Sequence, residues 1–328
     1  MRLITAGEVR KLLPMHVCIN LVEKYFHEKH RVDFQTPQRI VSQIPEKDAV
    51  WLFMPAYSNK LQRLAVKIVN EYKRNPKLYN LPKALGILLL FDSEKGVPIA
   101  LIDSVELTAI RTGALSGVAT KYMARQNVEV VTLIGSGIQA WTQLEAVDTI
   151  RRISKVYVYS VTKANREEFA KKAAEVFDFE INAVDNPGVY AKESDLIIAA
   201  TNSATPVLYG RWISEGVHVN SIGVLPNRRE LEDDVIGRAS KIVADVKDSV
   251  LREAGDIIHA IKNNVITRDK IIELEDLVVR GLGRRENERE VTLFKSVGFA
   301  AIDLYTASYV YSRSLESNIG RDVEFRTT

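Results

Sequence analysis

From residue 128 onward the chain repeats one grammar. Short apolar runs rich in β-branched residues, VEVVTLIG, KVYVYS, FEINAV, DLIIAAT, HVNSIG and KIVADV, recur at regular spacing with helical or loop segments between them. Parallel strands need long crossovers, usually helices that cover both faces of the sheet, so few architectures suit this alternation. It predicts an α/β fold with a doubly wound parallel sheet of the Rossmann type over residues 127–295. The first run ends in Gly135-Ser-Gly137, followed by Ile138 and Gln139 at the start of a helical stretch. A glycine at Gly135 permits the tight turn, and one at Gly137 lets a ligand approach the backbone. The unpaired N–H groups of a helix start suit an anion, so the turn is a candidate site for a dinucleotide pyrophosphate. Ala140 holds the place of a third glycine, which only has to be small for helix–strand packing.

The second run bears on which dinucleotide. NAD-selective sites end that strand with Asp or Glu, which accepts hydrogen bonds from the adenosine ribose. Here it ends at Ser160, followed by Thr162, Lys163 and Arg166. With no carboxylate there to repel a 2′-phosphate and two cations near, the expectation is NAD(P)H with NADP(H) slightly preferred. The alternative is that Lys163 and Arg166 are solvated charges on the next helix.

The first part of the chain reads differently. Helical spacing runs from Val9 to Tyr25, then QRIVSQI, AVWLFMPAY, RLAVKIVNEY, ALGILLLFD and VPIALID read as strands joined as hairpins. Residues 104–125 are helical again, and Ser296 to Ser314 form an apolar helix able to return to this part. The expected organisation is a second α+β domain from residues 1–126 with 296–328, and the Rossmann-type domain between. Lys67 lies inside AVKIVN, where a charge buried without a partner is costly. Arg111 lies among small and apolar neighbours in LTAIRTGALS, where a guanidinium can fork onto a carboxylate or phosphate.

Composition excludes several other classes. Forty-five basic and 42 acidic side chains leave a net charge of only +3, which gives nucleic acid or a membrane surface little to hold. Cys18 is the one cysteine, so an internal disulfide is excluded and a reducing cytoplasm fits. No stretch reaches the ~18 apolar residues of a membrane span, and without His/Cys clusters no metal site is expected.

AVKIVN (65–70), GVPIALIDSVELTAIRTGALSGVATKYMAR (96–125), GSGIQA (135–140), NRREL (227–231), AGD (254–256) and FKSVGFAAIDL (294–304) together resemble the ornithine cyclodeaminase/mu-crystallin family. That family also contains an archaeal type of alanine dehydrogenase and ketimine reductases, and the resemblance covers nearly the whole chain. It implies that Lys67 binds the substrate carboxylate beside the reacting carbon, with Arg39 as a second cation and Arg111 between cofactor and substrate. Thr112 would help with the phosphate, and Ile138 and Gln139 would lie against the pyrophosphate. Ser160, Thr201 and Gly223 would complete the cofactor site, with Ser296 and Val297 beside the nicotinamide and substrate. A homodimer formed through the second domain is implied as well.

One departure bears on the reaction. The family's cyclodeaminases carry an acid/base aspartate just after the Ile-Gly that ends the fifth strand. Here VNSIGVLPNRREL is one residue short, with Val224 and Leu225 where that carboxylate would fall. Glu230 belongs to an Arg-Glu-Leu ending the relatives share, so it is no obvious substitute. Cyclodeamination needs several proton transfers from a poised group; hydride exchange at one carbon needs a carboxylate clamp and one proton relay, which could be Lys67, water or the substrate's own nitrogen. The expected function is therefore an NAD(P)-dependent oxidoreductase that transfers a hydride between nicotinamide and the α-carbon of a small amino or cyclic imino acid. Two other readings stay open: a cyclodeaminase-type lyase using bound NAD without net turnover, and a mu-crystallin-like NADP(H)-binding protein.

Overall fold

A computed structural model describes residues 1–28 and 33–324. Residues Met1–Arg111 with the segment from Phe299 onward form one compact unit, and Thr112–Gly298 form the other.

The first unit is built on a mixed sheet. Strands Ala49–Ser58, Arg63–Tyr72, Ala84–Asp92 and Pro98–Asp103 follow one another antiparallel, as the turn signals between them predict. Arg2–Ile4 joins parallel to Pro98–Asp103 and pairs with Arg321–Asp322, while Ile40–Ile44 flanks Ala49–Ser58. The helix Ala300–Glu316 packs on the three central strands, and Met15–Glu28 packs on that helix. Each central strand therefore has a buried side and an outer side. Along Arg63–Tyr72, Ala65 and Lys67 are buried, whereas Leu64, Val66 and Ile68 alternate with them onto the outer side. Directly opposite residues share a face, so Phe53, Ile87, Leu89 and Phe91 join that outer surface.

The second unit contains eight parallel strands in the order Glu180–Ala183, Lys155–Tyr159, Val130–Ile134, Leu196–Ala199, His218–Ser221, Thr292–Lys295, Lys241–Ala244 and Ile271–Glu273. The strand order reverses beside Val130–Ile134, the switch point at which such sheets bind ligands. Two strands, Ile271–Glu273 and Thr292–Lys295, go beyond the sequence reading. Thr292–Lys295 inserts between His218–Ser221 and Lys241–Ala244; it follows the charged stretch RRENERE, which hides its pattern. The final helix is also shorter than expected, because it begins at Ala300 and not at Ser296. Gly298 takes a φ of 74°, and the Asp245 carboxylate holds Ser296, Val297 and Gly298 in a non-helical loop.

Candidate active site

In the first unit, Lys67, Arg111 and Asp303 meet inside the protein, with relative exposures of 2, 3 and 1 %. Lys67 comes from the buried side of its strand, Arg111 from the helix Ser104–Met123 and Asp303 from the helix Ala300–Glu316. Lys67 Nζ lies 2.6 Å from Asp303 Oδ2, and Arg111 Nε donates to Asp303 Oδ1 at 2.8 Å. Lys67 Nζ also donates to Thr108 Oγ1 at 3.3 Å.

The electrostatics follow from this packing. Burial pulls the Lys67 pKa down from 10.5 to about 7; Asp303 resists the fall, while the like charges of Arg111 and Arg39 add to it. Burial pushes the Asp303 carboxyl up, but Arg111 and Lys67 outweigh it, and the net direction is downward. Asp303 is thus an anion, and Lys67 is a lysine able to gain and lose a proton near neutrality. Arg39, half-buried just before the strand Ile40–Ile44, is close enough to act on Lys67. A buried group with three cations suits a ligand carboxylate, since charge-assisted contacts strengthen away from water. Asp303 was not among the residues expected from sequence. Its signal was there, as one acid within the apolar stretch FAAIDLYTA.

Apart from Thr112, the candidate residues of the second unit follow strands of the parallel sheet at their carboxyl ends. Gly135 and Gly137 follow Val130–Ile134, Ser160 follows Lys155–Tyr159, and Thr201 follows Leu196–Ala199. Gly223 follows His218–Ser221, and Ser296 with Val297 follow Thr292–Lys295. Gly135 takes a φ of 128°, and a Cβ there would meet the Ala200 carbonyl oxygen at 2.3 Å, so only glycine fits. A Cβ at Gly137 would face open space, at the N-terminus of the helix Ile138–Ile150. Room beside a helix N-terminus is what a pyrophosphate requires. Ile138 is partly exposed at this turn, and the amide oxygen of Gln139 is buried without a hydrogen-bond partner. Ala140 is fully buried. Thr112, on the helix Ser104–Met123, accepts a hydrogen bond at its carbonyl from Gln143 at 3.2 Å.

Two carboxylates hold the rim of this sheet. Glu230 accepts from the Thr201 backbone N–H and hydroxyl (2.9 Å for the latter), from Ser221 Oγ at 2.9 Å and from the Gly223 N–H at 2.7 Å. Burial raises its pKa, opposed by Lys295. With both oxygens engaged, Glu230 ties two strand ends together beside the short segment of Val224 and Leu225. That short segment is tight: Leu225 takes a φ of 95°, uncommon for a bulky side chain. Asp245 performs the second tie, its Oδ2 accepting from Ser296 Oγ, Val297 N and Gly298 N at 2.7, 3.0 and 2.7 Å.

The end of the second strand differs from expectation. Arg166 is buried, not solvated: Nη1 donates to the Ser160 carbonyl at 2.9 Å, and Nη2 pairs with Asp185. Lys163 is largely exposed. Among the described residues, no group of His, Cys, Asp or Glu could hold a metal ion, and no helix is long and apolar enough to cross a membrane.

The ornithine cyclodeaminase/mu-crystallin family matches residues 2–318. A Delta(1)-pyrroline-2-carboxylate reductase of Bacillus cereus is 36% identical over 328 residues, 99% of this chain and 100% of that one. Among solved structures, the Delta(1)-pyrroline-2-carboxylate reductase of Thermococcus litoralis in complex with NADH and L-proline superposes with a TM-score of 0.94 at 39% identity, covering 98% of this chain and 100% of the other. An archaeal alanine dehydrogenase dimer with bound NAD gives 0.88 at 29% identity, over 99% of each chain.

Proposed function

Because this chain belongs to the ornithine cyclodeaminase/mu-crystallin family, we propose that it is an NAD(P)-dependent reductase of small imino acids, with a five-membered cyclic imine bearing a carboxylate as its first substrate. The observation that carries this reading is the buried Lys67–Asp303–Arg111 group. A bound nicotinamide supplies the hydride. The chain's own residues do the rest. Arg39 and Arg111 bind the substrate carboxylate, and Lys67 touches the substrate beside the carbon that is reduced. Lys67 holds the proton that the imine nitrogen takes up, and its lowered pKa suits it to release that proton near pH 7. Asp303 keeps Lys67 charged against burial and orients Arg111. On this reading the first unit binds substrate and the second binds the dinucleotide.

For the dinucleotide, support comes from the glycine turn, from Gln139 and from the strand ends carrying Ser160, Thr201, Gly223 and Ser296. Thr112 and Val297 belong to the same proposal. The NADH and NAD of the solved relatives favour a nicotinamide cofactor here. Preference for NADP(H) would rest on Ser160 and Lys163 alone, because Arg166 is engaged elsewhere. A homodimer through the outer sheet face of the first unit is part of this reading. That face exposes Ile40, Trp51, Leu64, Leu85 and Ile87, each at 40% or more, an apolar patch that marks an interaction site, and one relative is a dimer.

The test follows reduced nicotinamide with the five- and six-membered cyclic imino acids, then with pyruvate and ammonia, while ornithine is assayed for ammonia release. The five-membered imine should oxidise the cofactor and yield proline. Stoichiometric proline and ammonia from ornithine, with no net change in nicotinamide, would replace this reading with the cyclodeaminase.

A further inference from the structure

At the end of the second strand of the parallel sheet, the structure supplies a carboxylate that this strand itself lacks. Glu180–Ala183 pairs parallel with Lys155–Tyr159, Ala183 opposite Val158, and Val184 N donates to the Val158 carbonyl. Two residues further along each strand, the same register sets Asp185 against Ser160. Arg166 bridges them, giving Nη1 to the Ser160 carbonyl and Nη2 to the Asp185 carboxylate. The two partners differ in exposure. The Arg166 side chain is 8% exposed and lies near the Tyr159 ring, whereas the Asp185 side chain is 84% exposed. The carboxylate thus forms the solvent-facing end of the pair, at the place where sheets of this kind meet the adenosine ribose.

We infer that Asp185 makes this protein select NAD(H) over NADP(H): it supplies the negative charge that repels a 2′-phosphate, and it occupies the guanidinium that would otherwise receive one. The inference rests on the dinucleotide reading above and deepens it. Lys163, 3.7 Å from Glu167 one turn further along its own helix, already has an acid beside it, so it does not offset the Asp185 carboxylate.

Nucleotide fragments test this without the reaction. Adenosine 5′-monophosphate and adenosine 2′,5′-bisphosphate differ only in the 2′-phosphate, and their binding to the full chain is measured by calorimetry. The unaltered protein should bind the 5′-monophosphate about tenfold more tightly, since like charges brought together at a binding site are penalised. Asp185→Ala and Asp185→Asn should each shift that ratio towards the bisphosphate by about tenfold or more, with affinity for the monophosphate within about threefold. The double variant Asp185→Ala/Arg166→Ala should lose the gain, provided its thermal melt shows it folded. If it does not fold, the two Asp185 variants, altered at an exposed position, still decide the matter. An unchanged ratio in both, or a preference for the bisphosphate in the unaltered protein, overturns the inference while leaving the dinucleotide site standing. Binding of neither nucleotide overturns both.

Discussion

Replacing Asp303 with Asn separates the proposed proton-donor role of Lys67 from mere packing. The substitution keeps shape and removes one charge. In the native protein Lys67 Nζ sits 2.6 Å from Asp303 Oδ2, and that anion is the main opponent of burial in setting the Lys67 pKa at about 7. An opposite charge at such range is worth roughly 1–3 pKa units. Without it, Lys67 falls by that amount, because Arg111 and Arg39 still repel its proton. At pH 7.5 a lysine with a pKa near 7 is about one-quarter protonated, so a fall of one unit removes about eightfold of the charged form and two units about 80-fold. If Lys67 donates the proton, imine reduction at pH 7.5 should fall by such a factor, and lower pH should partly restore it. The assay is kcat/KM for the five-membered cyclic imine between pH 5.5 and 9, with cofactor affinity and melting temperature measured alongside. The variant's midpoint should move to lower pH by at least one unit. A uniform loss at every pH with the midpoint unmoved would refute the reasoning and leave Asp303 as a structural residue only.

Lys67→Met should cut turnover efficiency at least ~100-fold, the loss of a contact worth ~3 kcal/mol, while leaving nucleotide binding measured by calorimetry nearly intact. The same variant bears on stability. With Lys67 at about 7 when folded and near 10.5 when unfolded, the unfolded chain binds more protons between those values, so this group makes stability rise with pH across that window. The rise, at most ~5 kcal/mol, should be missing from urea midpoints of Lys67→Met compared at pH 7, 8.5 and 10. Gly135→Ala forces a Cβ to within 2.3 Å of the Ala200 oxygen at a φ of 128°; calorimetry should find nucleotide binding lost, and the melting temperature should drop. Ile87→Glu, on the outer sheet face, should convert a dimer to a monomer in light scattering at micromolar concentration. A native protein already monomeric there would sink the dimer.

The features legible in the sequence were those carried by neighbours along the chain. The glycine turn after VVTLI, the hairpins of residues 49–103 and a lysine stranded in AVKIVN all signal within a window of about ten residues. What escaped depends on distant partners. Arg111 and Asp303 lie 192 positions apart, and nothing local says that the acid in FAAIDL faces the lysine in AVKIVN. Arg166 sits correctly on the helix after the second strand, yet its direction is decided by Asp185 on the next one. The strand Thr292–Lys295 escaped because its short run, TLFK, ends in a charge and follows the charged stretch RRENERE, which masks it.

The strand Arg63–Tyr72 carries two messages in alternate letters. Ala65 and Lys67 read towards the buried side, where Lys67 meets Asp303, while Leu64, Val66 and Ile68 read towards the outer face. A single codon lost within it would reverse every side chain on one side of the gap, turning either the lysine or the apolar residues the wrong way. The length of this strand therefore constrains both faces at once. On the function proposed above, the length of this one strand keeps both the substrate group and the dimer face in register.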